Sequence, residues 1–271
     1  MGIFDKFKKE KQQKPAADGG AGSHEITPEQ AKTVTKSIVA QLGYSCRIFS
    51  DKASYEEIMA AYEQALQEGR QEGFTPVLVP EDSVLDEYLG ILKDDGYSLE
   101  SILNSEPESG KELLKKRFDE YTGDEADEFD EDEFVGEYDD EPVLIDRYTA
   151  FRNGLSKEMK ETMLFKVPTA RPWELVAYVP FGGWNDCPEV KKMMAVCKYW
   201  YQKYGAVPVT ITHDEMEMHV PSPVAEKDAL QVAKEHFAFT TDRVSQCTDT
   251  GTLAELAACI AASEIWYFWW D

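Results

Sequence analysis

The chain has 271 residues and carries 28 Lys and Arg against 52 Asp and Glu, a formal net charge of −24. Hydrophobic residues make up 42% and aromatics 12%, which excludes a wholly disordered protein and suffices for a sizeable core. So negative a field repels nucleic-acid phosphates and anionic membranes, leaving high solubility or a basic protein partner as its readings.

No window reaches the ~18 to 20 apolar residues that a membrane span needs. Met1 to Lys14 is charged and lacks the apolar stretch of a secretory signal, so the chain reads as cytoplasmic. Five cysteines, Cys46, Cys187, Cys197, Cys247 and Cys259, are scattered and odd in number. That pattern excludes a zinc ribbon and a disulfide scaffold and fits reduced thiols.

Residues 1–30 read as a flexible tail, with lysines at its start and a Gly-Ala-rich spacer through Ser23. An N-terminal α/β domain is expected over 31–118. Its helix from Thr27 to Gln41 ends at Gly43, and Tyr44 to Phe49 forms a strand. Ser54 opens a second helix with Glu57 at capping-box spacing. Thr75 to Pro80 is a buried-type strand, and Val84, Leu85, Tyr88, Leu89 and Leu92 mark another helix. Strand, helix, strand and helix at these lengths predict a parallel βαβ crossover. Further helices are expected over Ser98–Asn104 and Ser109–Tyr121.

Between Asp119 and Glu141 acids crowd together with no Lys or Arg. No EF-hand fits, because the fifth and sixth places from Asp130 are Phe134 and Val135, and the third from Asp124 is Ala126. Mutual repulsion predicts a solvated linker over 119–141, and Phe129, Phe134 and Tyr138 give it a second reading as a docking segment for a basic partner.

An α+β domain is expected over 142–271, with an edge strand at Pro142–Asp146 and a helix from Leu155 to Thr162. Trp173 to Pro180 reads as a strand, followed by a glycine-bearing loop in which Asp186 caps a helix with Pro188 in its first turn. That helix carries Val190, Met193, Met194, Cys197, Trp200, Tyr201 and Tyr204 on one stripe, which a core-facing helix explains better than a partner groove. Val207–Thr212 and Glu215–Val220 form a hairpin around His213 and Asp214. Met216, Met218 and Val220 point inward there, with Glu215, Glu217 and His219 towards solvent or a groove. A helix from Val224 to Phe239 puts Leu230, Ala233, His236 and Phe237 inward. A polar loop over Phe239–Cys247 and a helix over Thr252–Ala262 follow.

The chain ends Trp266-Tyr-Phe-Trp-Trp-Asp271, five aromatics that cannot all stay in water on a soluble monomer. Alternation puts Trp266, Phe268 and Trp270 on one face and Tyr267 and Trp269 on the other. The expected architecture is a mixed β-sheet flanked by helices, with this aromatic strand central and covered on both faces.

The blocks Gly183-Trp-Asn-Asp-Cys-Pro188, Tyr199 to Gly205, Glu235-His-Phe-Ala-Phe239 with Asp242 and Gln246, and the terminal aromatic-Asp block resemble the bacterial family of unknown function numbered 4253. The resemblance covers about the last hundred residues. It implies an α+β domain and no known activity. Thr240 and Thr241 stand where the family has Cys-Pro, and Cys247 where it has Gly, so no role through a loop thiol or glycine turn carries over.

The candidate site residues are Trp184, Asn185, Asp186, Cys187, His213, Asp242, Gln246 and Asp271. A Cys187–His213 nucleophile pair oriented by Asp186 or Asp242 is one arrangement, although capping explains Cys187 as well. His213, Asp214 and Asp242 are the metal-ligand alternative, against which a polar turn is the simpler account. No phosphate-binding, dinucleotide-binding or nucleophile-elbow motif occurs, so neither cofactor nor metal is expected. Two functions remain: a protein-interaction module, in one form an immunity-like neutraliser of a basic toxin, or a small hydrolase or transferase with a pocket near Cys187, His213 and Asp242.

Overall fold

The computed structural model describes residues 24–106, 108–123, 131–153 and 158–271. Most of the tail expected over 1–30, Phe129 with the middle of the acidic run, and the start of the helix expected from Leu155 lie outside them.

In chain order the elements are β1 (Glu25–Ile26), α1 (Thr33–Leu42), β2 (Cys46–Phe49), α2 (Tyr55–Glu72), β3 (Thr75–Pro80), α3 (Ser83–Asp94), α4 (Leu99–Leu103), α5 (Gly110–Thr122) and α6 (Glu131–Val135). After them come β4 (Thr162–Val167), α7 (Leu175–Tyr178), α8 (Val190–Tyr204), β5 (Val207–Ile211), β6 (Glu215–His219), α9 (Glu226–Phe239), α10 (Asp242–Ser245), α11 (Leu253–Ala262) and β7 (Ile265–Trp269). This is the α+β class, built on one mixed sheet of order β1-β2-β4-β3-β5-β6-β7.

Local chemistry sets the helix ends. Ser54 Oγ accepts from Glu57 N at 3.1 Å, and Gly43 and Gly205 close α1 and α8 in the left-handed conformation that glycine adopts without strain. The two faces of the sheet carry separate apolar clusters. Val77, Val79, Met163, Phe165, Met216, Met218, Trp266 and Phe268 lie on the face covered by helices including α8 and α9. Leu78, Leu164, Val209 and Tyr267 lie on the other, under α2 and the segment around Ile145 to Phe151. The period of two along β3, β4, β6 and β7 produces this division.

Several expectations need correction. β2, α2 and β3 run as a parallel crossover, but β4 is inserted between the two strands and pairs antiparallel with both. Strands from 31–118 and from 142–271 therefore share one sheet, with β3 between β4 and β5. Trp173–Pro180 is a 3-10 turn and a short helix rather than a strand. Leu175, Val176 and Ala177 are all buried, and such a run has no period to separate helix from strand. The strand lies earlier, at β4, which begins at Thr162, the expected end of a helix from Leu155, and residues 158–161 are not helical. Pro142–Asp146 is not a strand: Ile145 N donates to Ser263 Oγ at 3.0 Å. The tail ends sooner than residue 30, because β1 pairs with β2 and the His24 N–H and ring nitrogen each lie 2.8 Å from the Glu57 carboxylate.

Within 119–141, α5 and α6 occupy parts of the stretch read as a linker, and Phe134 packs against Phe237 with ring centres 4.7 Å apart. Leu230 is 37% exposed rather than inward, and α10 interrupts the loop expected over 239–247. Finally, β7 is the last strand in the sheet order and not a central one. Both its faces are covered as expected, and Trp266, Tyr267, Phe268 and Trp270 are buried. Helices on one side and the 145–151 segment on the other supply that cover, so burial did not require strands on both edges.

Candidate functional site

Pairing makes β2, β3, β5 and β7 run in the same direction, and their C-terminal ends form one edge of the sheet. Edges of this kind collect ligand-binding groups, because loops diverge there from a rigid frame. At the end of β3, Asp82 caps α3: its Oδ1 accepts from Val84 N at 3.0 Å and Leu85 N at 3.1 Å. Its Oδ2 accepts from the His213 backbone N at 2.9 Å and lies 2.7 Å from His213 Nδ1. Asp214 Oδ1 stands 3.4 Å from the same ring nitrogen.

Burial opposes protonation of His213, but the hydrogen bond and charge of Asp82, helped by Asp214, outweigh it and raise the pKa above the ordinary histidine value. Burial likewise opposes ionisation of Asp82, and hydrogen bonds from His213 and from the first turn of α3 overcome it and lower the pKa. The ring is a third exposed while Asp82 is buried. The arrangement is an imidazole oriented and polarised by a fixed carboxylate.

Asp214 joins this group to the end of the chain. Its Oδ2 accepts from Trp269 Nε1 at 3.0 Å and its carbonyl from Trp270 N at 3.1 Å. Asp271 N donates to Asp242 Oδ2 at 3.1 Å, Gln246 Nε2 donates to Asp242 Oδ1 at 2.9 Å, and Asn185 Nδ2 donates to the Asp271 carbonyl at 2.8 Å. Asn185, Asp242, Gln246 and Asp271 are thus tied together, and His213 reaches them through Asp214. Among the described residues Asn185 is the one non-glycine with positive φ, at 44°, a conformation asparagine tolerates. Gly182 precedes it at φ 102°, where an added Cβ would meet the Pro188 carbonyl oxygen at 2.1 Å.

Asp186 and Cys187 turn elsewhere. Asp186 accepts from Tyr121 OH, and its carbonyl accepts from Arg117 at 3.0 Å, so it does not cap α8, which starts at Val190 without a side-chain cap. Cys187 is buried, and burial drives its thiol pKa far above the ordinary value. A thiol held protonated is a poor nucleophile. The orienting carboxylate of His213 is Asp82, not Asp186 or Asp242. Trp184 packs edge-on against Phe181.

Asp82, His213 and Asp214 are the group among the described residues whose ligand atoms, within 4.8 Å of one another, have the reach to hold a metal ion; Asp242 is not part of it. The hydrogen bonds above already engage all three. A half-open cavity of about 310 Å³ lies by Tyr44, ahead of β2, lined by Leu42, Tyr44, Leu89, Tyr97 and Tyr178. None of the candidate residues lines it.

Residues 163–271 match the family model described as a domain of unknown function, DUF4253. The match begins inside β4, so the DUF4253 region contributes β4 to β7, and the preceding residues supply β3 in the middle of the sheet and Asp82 at the site. Comparison with curated proteins and with solved structures gives no match. No helix of the described residues is long and apolar enough to cross a membrane.

The roles of Asp82 and Glu217 were not legible in the sequence. Asp82 carried a signal, an Asp directly before the helical pattern of Ser83 to Leu92, which marks an N-cap but not a histidine partner 131 residues away. Glu217 was expected to face solvent or a groove. It is fully buried, accepting from Thr149 N at 2.7 Å, Ala150 N at 3.2 Å and Thr210 Oγ1 at 2.7 Å.

Proposed function

We propose that the protein is a binding module that engages a basic protein partner through the sheet edge around His213. The observation that carries this reading is the charge at that edge. Asp51, Glu81, Asp214, Glu215, Asp242 and Asp271 stay partly or fully exposed there, and Lys32, which bridges Glu81 at 2.7 Å and Asp51 at 3.6 Å, offsets little of it. Because these carboxylates sit on strand ends and caps, ordering them on binding costs little. Complementary charge of this kind accelerates association and weakens with salt.

The test titrates a lysine-rich peptide against three full-length proteins. One is wild type, one carries Asp51→Asn, Glu81→Gln, Asp214→Asn and Asp271→Asn, and one carries four neutralised acids on exposed helix faces, Glu63, Glu87, Asp94 and Glu112. Binding lost chiefly in the edge variant, and abolished by salt, supports the proposal. Equal losses in both variants reduce the charge to solubility.

A specific observation also favours a hydrolase or transferase reading, namely the Asp82–His213 pair. A buried carboxylate at 2.7 Å from Nδ1 leaves Nε2 as the nitrogen able to take a proton from a substrate or water. Cys187 has no part in that reading. Turnover of acyl or phosphoryl model esters, lost in His213→Gln and reduced in Asp82→Asn, would favour it. No turnover in any protein would remove it.

A further inference from the structure

The buried charged groups are not treated alike. Asp82, Glu161, Glu174, Glu217, Glu235 and Glu255 are all buried and each accepts hydrogen bonds. Arg243 is the one Lys or Arg among the described buried residues, with 3% of its surface exposed. Its Nε is buried without a hydrogen-bond partner, and none of the ion pairs among the described residues includes it. The acids of α10 and the adjoining α11 accept their hydrogen bonds from other groups. Asp242 holds Asp271 N and Gln246, and Glu255 holds Asp249 N at 2.9 Å and Thr250 N at 2.7 Å.

Beside Arg243 the same deficit recurs. His236 on α9 is fully buried, and neither of its ring nitrogens has a partner. Arg243 is near enough to press its charge on both His236 and Cys259 of α11. Trp266 packs on His236 with ring centres 4.6 Å apart, and its Nε1 is also buried and unpartnered. Each of these three side chains is able to donate a hydrogen bond. A buried guanidinium without a counter-charge is among the costliest arrangements a fold can hold, and internal water would solvate it without cancelling its charge. Such unsatisfied groups call for a ligand or an ion as their explanation.

We propose that Arg243, with His236 beside it, is the anchor of a binding site for an oxyanion, either a phosphate or a carboxylate group. The guanidinium supplies the parallel donors that match two oxygens of such a group. The site lies where α10 meets α9, next to Asp242, and does not depend on the acidic edge as a docking surface.

The experiment follows thermal unfolding of the full-length protein in inorganic phosphate, in acetate and in chloride at matched pH and ionic strength. Wild type should melt about 2 to 4 °C higher at saturating concentrations of one oxyanion than in chloride. The preferred anion separates the tetrahedral from the planar class. Arg243→Met should melt higher than wild type in chloride, since it removes an uncompensated buried charge, and should lose the oxyanion response. Arg243→Lys keeps the charge without the fork and should respond only weakly. Should Arg243→Met fail to fold, a titration of wild type followed by the His236 imidazole resonances decides: a saturable shift supports the site. No saturable response to either anion, or a destabilised Arg243→Met that still responds as wild type does, overturns it.

Discussion

His213 and His236 are the same side chain in opposite settings, and the contrast shows how the fold divides its work. His213 lies where strands end, ringed by carboxylates on loops and caps, and its proton is held more tightly than in water. His236 lies among Trp200, Trp266 and Phe268, with ring centres 4.6 to 5.3 Å away, and burial followed by the charge of Arg243 keeps it neutral. The first region is polar, satisfied and open to a partner. The second is aromatic and buried, and the ring nitrogens of His236 and Trp266 have no partner among the described residues. A rigid interior behind the edge is what lets the edge hold its carboxylates in fixed positions.

The largest expected effect comes from breaking the aromatic side. Trp266→Ala should cost about 3 to 5 kcal/mol in chemical denaturation, because Trp266 packs against Trp200, Tyr204 and His236. Trp269→Ala should cost clearly less, since that residue is only half-buried and its indole serves the Asp214 turn. Equal costs would remove the distinction between the two regions.

On the edge side, Asp82→Ala should cost about 1 to 2 kcal/mol through loss of the α3 cap. Asp82→Asn keeps an N-cap acceptor and should cost less, while still lowering the pKa of His213. A His213 pKa unchanged in both variants would show that Asp82 does not polarise the ring.

The pH dependence has opposite signs for the two histidines. The folded pKa of His213 is raised, so its contribution to stability is fully present below the unfolded value near 6.5 and is lost as pH rises through the folded value. The folded pKa of His236 is lowered, so above pH 6.5 it adds no penalty. As pH falls below that value, the unfolded chain takes up a proton that the folded one refuses, and stability drops. His236→Gln should therefore flatten the acid side of a stability-against-pH curve, and His213→Gln should cost more at pH 6 than at pH 9.

The smallest effect is expected at Asn185. Asn185→Gly relieves the positive φ but loses the bond to the Asp271 carbonyl, for a net change below about 1 kcal/mol.

What the sequence revealed follows the reach of its patterns. The hairpin around His213, the buried stripe of α8 and the two-sided cover of the terminal strand are legible because alternation and helical spacing are local. Trp173–Pro180 was read as a strand because an apolar run without a period fits strand and helix equally. The edge position of β7 was hidden because burial reports how well a strand is covered and says nothing of its neighbours in the sheet. At the site, Asn185, Asp242, Gln246 and Asp271 were singled out as residues and do converge, whereas Asp82 as the partner of His213 was not legible. Pairing across 131 residues is set by the insertion of β4 and by the parallel contact of β3 with β5, neither of which has a sequence signature. The same holds for Arg243: a charged residue in a polar stretch reads as exposed until α9, α11 and β7 close around it.

The most direct test of the contrast is an NMR titration of the four histidines in wild type and in Asp82→Asn. His213 should titrate above 6.5 and fall in the variant, while His236 stays neutral in both until the protein unfolds. His213 and His236 titrating together near 6.5, with His213 indifferent to Asp82, would contradict it.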